Sequence, residues 1–437
     1  MATHWIRALA LTACLLIAAC GGGADRTKAQ VRLVNATAAG AASSPGSGYP
    51  QLDLRVQNTL SQGQVSYGAS AAYVEVDPGK ADTTLTNAGS ATPLLSFTPS
   101  LSEKRHYTVL AYGAAGALQQ QTLDDNAGEP ATDRALLRVF NAAGDAGALD
   151  IYLTGANEPL DTAVALQANA AYGTLGNWLT VSSATWRLRV TAAGSKTDVR
   201  LDLPALSLPS KHVATLVLTP TEGGVLVNAL VLAQRGAITR EDTASARVRL
   251  AAMAADSGTV GAQLGTVVLS PGNGSPTLGD YVLVPTGAPV VALTLNGQPL
   301  PAASQTLDPG RDYTLMVHGL LSAPRVTWLT DDNRRPTDTA RAKLRLVNAL
   351  ADGATPLALS LDARSVPGNV AVGTASPYAS VLPTTGSSTD GKIAVTGSGL
   401  SAPVFTANDQ LLAAGATYSV FLVGRQAAAT GIVRRDR

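Results

Sequence analysis

Apolar and polar positions along most of the chain alternate in short runs with a period of two. In "TWRLRV", Trp186, Leu188 and Val190 alternate with Arg187 and Arg189, so one face of a strand can pack while the other stays wet. Such runs are separated by Gly-, Pro- and Asn-containing breaks such as "DPGK", "PGNG", "LNGQP" and "AAGAT". Few stretches beyond the first twenty residues carry the 3.6-residue period of an amphipathic helix. A second kind of run is apolar on both faces: "HYTVLAYG" from His106, "HVATLVLTP" from His212, "DYTLMVHG" from Asp312 and "TYSVFLVG" from Thr417. That pattern predicts central strands of a sandwich. The fold class expected is all-β.

The double-sided runs belong to a larger repeat. Each is preceded by an Arg-punctuated phrase: "VRLVNA" at Val31, "LRVFNA" at Leu137, "VRLAAM" at Val248 and "LRLVNA" at Leu344. Between the two lies a third anchor, "YGASAAYVEVDPG", "YGTLGNWLTV", "LGDYVLVPTG" or "YASVLPTTG". The spacing, roughly 95–110 residues, is that of a compact domain rather than a solenoid repeat. Four β-sandwich modules are therefore expected, at 31–126, 134–236, 246–333 and 341–434. The phrase Asp-Asp-Asn occurs at Asp124–Asn126 and again at Asp331–Asn333, each time ahead of a Pro/Thr/Asp segment and the next Arg phrase. These segments are expected to be linkers between beads, and their sharing hints at duplication of a two-module block. The recurrent arginines (Arg32, Arg138, Arg249, Arg345) are expected to point outward and blunt an edge strand against aggregation, with a ligand site as the alternative.

Composition narrows the setting. With 32 basic and 31 acidic residues among 437 and no long run of one sign, the chain lacks the basic footprint of a nucleic-acid binder. Its 46% hydrophobic content excludes a disordered composition. The N-terminus reads "MATHWIRALALTACLLIAACGGG": Arg7, then an apolar run from Ala8 to Ala19, too short for a comfortable membrane span. This resembles a bacterial lipoprotein signal, with residues 1–19 a helical signal peptide, Cys20 the lipid-attachment residue and 20–30 a Gly-rich tether. Only Cys14 and Cys20 are present, so the mature chain would keep one cysteine and no internal disulfide. By the same resemblance, the absence of Asp after Cys20 implies sorting to an outer membrane. The membrane partner would be reached through the lipid.

The phrases "RLVNA" and "RVFNA", "LDIYL" at Leu149–Leu153, "WRLRVTAAGS" and "HVATLVL" resemble repeats of the bacterial family called domain of unknown function 4397 (DUF4397). The match is best in the second module. The first keeps "LDLRV" at Leu52–Val56, the third has lost the Asn and the LDxxL segment, and the fourth keeps only the Asn. The resemblance implies exported, often lipid-anchored chains built of immunoglobulin-like sandwiches, and no activity.

Candidate chemistry is sparse. Three histidines outside the signal (His106, His212, His318) fall on separate modules, which does not suit a shared metal, and no G-x-S-x-G elbow accompanies them. "GNGSPTLG" at Gly272–Gly279 and "GSGLS" at Gly397–Ser401 lack the Gly-Lys-Ser/Thr ending of a phosphate loop. The one metal hypothesis is calcium at the junctions, held by Asp124, Asp125 and Asp133 and by Asp331, Asp332 and Asp338, because calcium takes several oxygens from flexible loops. No other cofactor is expected. The functional expectation is a non-enzymatic, lipid-anchored envelope protein exposed at the surface, with an unidentified envelope or surface partner. A periplasm-facing structural lipoprotein is the first alternative. An envelope glycan hydrolase is the second, and would need carboxylates such as Glu75, Asp77, Asp150 and Asp280 to pair across a cleft.

Overall fold

A computed structural model of the protein describes residues 27–38, 50–114, 116–353 and 355–437. The residues read as a signal peptide, 1–19, and Cys20 lie outside the described residues. Among the described residues, two single-turn 3-10 helices, Gly144–Ala146 and Gln426–Ala428, interrupt an otherwise all-β structure. Its strands form four sandwiches, each made of two sheets.

One sheet of each sandwich is built around the Arg phrase. The opening strand (Ala29–Thr37, Arg134–Asn141, Ser245–Ala254 or Ala342–Leu350) runs parallel to the late, double-sided strand (His106–Gly113, Val213–Pro220, Asp312–Leu320 or Thr417–Gly424). A closing strand follows antiparallel on the far side of the late strand: Gln119–Asp124, Val227–Ala233, Ala323–Asp331 and Thr430–Arg435. A short strand from the third sequence anchor (Val74–Val76, Leu179–Ser182, Val282–Pro285 or Ala379–Val381) covers the opening strand's other side. The opening strand is thus central. The second sheet closes the sandwich; in the second module it pairs Gln167–Ala170, Leu149–Thr154, Ala184–Ala192 and Val199–Leu208.

The opening strand begins at Ala29, inside the stretch read as tether, because Ala29 already lies in the first core. Alternation then divides each opening strand between two environments. Val31 and Leu33 enter the first module's own core, while Val34 and Ala36 enter a separate cluster with Phe140, Ala142, Val217, Leu230 and Leu232 of the second module. The third and fourth modules repeat this: Ala251, Met253 and Met316 meet Val347, Ala349, Phe421 and Val423. Among the described residues the buried apolar side chains form one cluster in each sandwich and one in each of two inter-module faces. The double-sided strands are apolar on both faces because the second face packs on a neighbouring module.

The segments read as linkers do not hold the modules apart. The modules are welded face to face in two pairs, first with second and third with fourth, and each pair shares an apolar seam of its own. The residues after the closing strands cross these seams rather than spacing the modules apart.

Candidate functional site at the module seams

Across each seam the recurrent arginine sits at the same register. Arg32, Arg138, Arg249 and Arg345 lie opposite Thr108, Thr215, Thr314 and Ser419 on the late strand. Each Nε donates to that hydroxyl at 2.8–2.9 Å. Each guanidinium also lies over an aromatic ring of the third anchor, at 4.8 Å from Tyr73, 4.2 Å from Trp178, 4.5 Å from Tyr281 and 4.4 Å from Tyr378. Exposures of 3, 6, 1 and 2% overturn the outward-pointing, edge-blunting reading. The strand is flanked on both sides, so a side chain on its second face points into the seam.

A fourth position completes the arrangement. Two residues beyond the closing-strand partner of that hydroxyl stand Asp125, Gln234, Asp331 and Asp436. Pairing register therefore aligns Asp125, not Asp124, with Asp331. The Asp-Asp-Asn phrases are offset by one residue between the two pairs.

In the third–fourth pair the carboxylates are exchanged. Asp331 accepts from its own module's Tyr281 (2.7 Å) and Thr314 (2.5 Å), and from Arg345 of the fourth module at 2.5 Å. Asp436 accepts from its own Tyr378 (3.0 Å) and Ser419 (2.5 Å), and from Arg249 of the third module at 2.6 Å. Burial alone would push both guanidinium pKa values down, yet the surrounding carboxylates and tyrosines raise them. Burial likewise pushes Asp331 up, and Arg345 and Arg249 outweigh it and hold the carboxyl below its ordinary value. Tyr281 and Tyr378 are pushed well up, chiefly by burial. Both carboxylates and their hydroxyl partners are thus satisfied inside the seam, as buried ions require, while Nη2 of Arg249 is left without a hydrogen-bond partner among the described residues.

The first–second pair departs from this. Asp125 accepts from Tyr73 (2.6 Å) and Thr108 (2.5 Å), but its nearest guanidinium is Arg32 of its own module, at 4.0 Å. Arg32 spends its other donors on the carbonyls of Gly236 and Ala233 across the seam. Gln234 stands where a second carboxylate would, exchanging hydrogen bonds with the backbone of Ala127. Arg138 donates to Thr215 and, at 3.2 Å, to the carbonyl of Asp124, and burial pushes its pKa down with only partial relief from Asp125 and Asp124.

The calcium candidates are divided by this geometry. Asp125 and Asp331 are consumed in the seam, while Asp124 turns outward to Arg105 at 2.5 Å. Asp332 pairs with Arg334 and Lys343, and Asp338 with Arg341 at 3.6 Å. Asp133 adopts a left-handed backbone conformation and its amide donates to Ser210. Among the described residues no three His, Cys, Asp or Glu side chains are grouped to hold a metal. The hydrolase candidates are also dispersed: Asp77 pairs with Lys28, Asp280 with Arg434, and Asp150 accepts from the amides of Asn169 and Gly194. Glu75 sits on the short strand Val74–Val76.

The family model for the domain of unknown function DUF4397 matches residues 29–152 and 246–354, more than half of the chain. This protein belongs to the DUF4397 family. Each matched stretch starts at the first module of a pair and runs through the opening strand of the second, so each spans a seam. No curated protein matches the chain. Among solved structures, a candidate cell adhesion protein from Bacteroides uniformis ATCC 8492 is 13% identical with a TM-score of 0.21, covering 47% of this chain and 99% of its own. The TIE protein of Bacillus anthracis is 8% identical with a TM-score of 0.14, covering 88% of this chain and 66% of its own.

The other DUF4397 signature residues hold strands. Asn35, Asn141 and Asn348 each donate through Nδ2 to carbonyls of the second sheet or its connections and accept, through Oδ1, from the amide two residues on. In the third module Ala252 stands there, and the Ser275 hydroxyl lies 2.6 Å from the Ala254 carbonyl instead. Asp53 repeats the Asp150 clamp, accepting from the amides of Gln64 and Gly89. His106 packs edge-on against Tyr73, and His318 lies buried in the third–fourth seam with Nε2 3.1 Å from Thr327 Oγ1. Burial and Arg325 push His318 down to about 4. Burial lowers His212 as well.

Proposed function

We propose that this DUF4397 protein is a non-catalytic binding or structural component of the cell envelope, carried on a lipid at Cys20 and presenting its paired sandwiches at the cell surface. The observation that supports this most is how the recurrent polar residues are used. Arginine, aromatic and hydroxyl meet at both seams, a carboxylate joins them across the third–fourth seam, and Asn and Asp fasten strand ends. These groups are committed to rigidity. A rigid paired block suits a scaffold that offers its outer sheets and loops to a partner, since contact surfaces held on packed elements lose little freedom on binding.

Protease shaving of intact cells, read with an antibody against the fourth module, tests the location. Loss of the signal from intact cells supports surface display. Protection until the outer membrane is breached replaces it with the periplasm-facing reading. In parallel, Cys20→Ser should abolish incorporation of labelled palmitate and release the chain from the membrane fraction; retention of label would sink the anchoring proposal.

A further inference from the structure

The two seams provide an internal comparison, because the same site is closed in one pair and open in the other. In the third–fourth pair, the surroundings of Arg345 are filled. Lys343 lies 4.8 Å from the Tyr378 ring centre and donates to the carbonyls of Asp332 and Arg334, and Arg334 in turn pairs with Asp332. In the first–second pair, Leu136 occupies the register position of Lys343, and Gly128, three residues past the buried carboxylate, occupies that of Arg334. The outcome is a groove of about 400 Å³ bordered by Arg138, Trp178, Leu136, Gly128 and the Arg105–Asp124 pair. That volume lies within the range of small-ligand sites.

The cation in this groove is also the one left short of an anion. Arg345 receives a carboxylate oxygen at 2.5 Å, whereas its counterpart Arg138 has a hydroxyl and a backbone carbonyl. Neither Nη1 of Arg138 nor Nε1 of Trp178 makes a hydrogen bond among the described residues, and both residues line the groove. A guanidinium forks onto a carboxylate, and an indole beside it offers a flat face and an N–H donor. At the rim, the exposed Asp124 carboxylate would accept from hydroxyls and repel additional negative charge. This combination favours a ring bearing one carboxylate and several hydroxyls over a densely acidic peptide.

We propose that the groove at the first seam binds a carboxylate-bearing sugar, a uronic-acid residue of an acidic polysaccharide, with Arg138 holding the carboxylate and Trp178 and Leu136 supporting the ring. This deepens the binding reading above and rests on it. The purified full chain is titrated calorimetrically with a galacturonic acid trimer, its methyl ester and a glutamate hexapeptide, with tryptophan fluorescence followed alongside. The acid trimer binds and perturbs the fluorescence; the ester and the peptide bind at least ten-fold more weakly. The triple substitution Asn126→Asp, Gly128→Arg, Leu136→Lys copies the filled seam, Asn126 standing at the register of the Asp332 that neutralises Arg334 and Lys343, and should weaken the acid trimer at least ten-fold with an unchanged melting temperature. If that variant melts lower, Gly128→Leu alone replaces it and fills the groove without adding charge, because Gly128 has an ordinary φ and an added Cβ meets nothing within 4 Å. The proposal is overturned by no binding of the trimer, by equal binding of acid and ester, by preference for the peptide, or by full binding in the filled variant. Each of those failures leaves surface display untouched, since shaving decides that separately.

Discussion

Replacing Asp331 by Ala is the sharpest test of the exchanged ion pairs. The substitution removes one carboxylate and leaves three buried donors without their acceptor: Arg345, Tyr281 and Thr314. Breaking a buried pair by removing one partner costs about 3–5 kcal/mol, because the remaining charge stays buried. Asp125→Ala provides the control. Arg32 is 4.0 Å from Asp125 and keeps the carbonyls of Gly236 and Ala233, so only the two hydroxyls of Tyr73 and Thr108 are orphaned. Each lost hydrogen bond to a charged group is worth about 1.5 kcal/mol at the lower end, giving about 3 kcal/mol for the control. For a block of two modules, about 2–4 °C per kcal/mol turns the Asp331 loss into roughly 6–20 °C. Scanning calorimetry of the full chain should show the third–fourth transition falling by that amount in the Asp331 variant and the first–second transition falling less in the Asp125 variant. Adding Arg345→Met to Asp331→Ala should cost little further, with a coupling energy of about 1–3 kcal/mol. Equal losses in the two pairs, or an Asp331→Ala cost below about 1 kcal/mol, would refute the exchange as a stabilising feature.

The remaining predictions concern the same seams and the strand fastenings. His318 has its folded pKa lowered to about 4, so between roughly pH 6.5 and 4 the unfolded chain binds more protons and stability falls as pH drops through that window. The loss amounts to about 3 kcal/mol, and calorimetry at pH 7 and pH 4 should find it reduced in His318→Thr, which places at that register the residue found at Thr219. Phe421→Ala empties a fully buried position of the second seam and should cost about 3–5 kcal/mol, whereas Leu382→Ser, at an exposed site, should stay within about 0.5 kcal/mol; chemical denaturation separates them. Asn348→Ala should cost about 1–3 kcal/mol by orphaning the Val370 carbonyl and the Leu350 amide, and amide exchange at Leu350 should quicken. An unchanged exchange rate there would count against the Asn fastening.

The all-β class was legible in the sequence because period-two alternation and turn residues are local signals. The arginine's recurrence was legible too, but not its direction. A strand apolar on both faces looks the same whether its second face meets its own chain or a neighbouring module, and only the seam residues Val34, Phe140, Val347 and Phe421 distinguish the cases. The Asp-Asp-Asn phrase misled by one residue, because similarity of letters placed Asp124 against Asp331 while strand pairing places Asp125 there. Asp436, within "RRDR", and Gln234 carried no phrase to align, so two of the four carboxylate positions were invisible. The aromatic members were within reach, since Tyr73, Trp178, Tyr281 and Tyr378 all fall inside the third anchor. What could not be read was that these four side-chain positions from two modules converge at one seam.

Reciprocal exchange across the third–fourth seam also sets how such chains can change length. A lone module would carry to the solvent a face holding Val347, Ala349 and Phe421 and an arginine deprived of its borrowed carboxylate. The currency of duplication and loss is then the couple, and a chain with an odd count would have to recruit another molecule to cover its bare side.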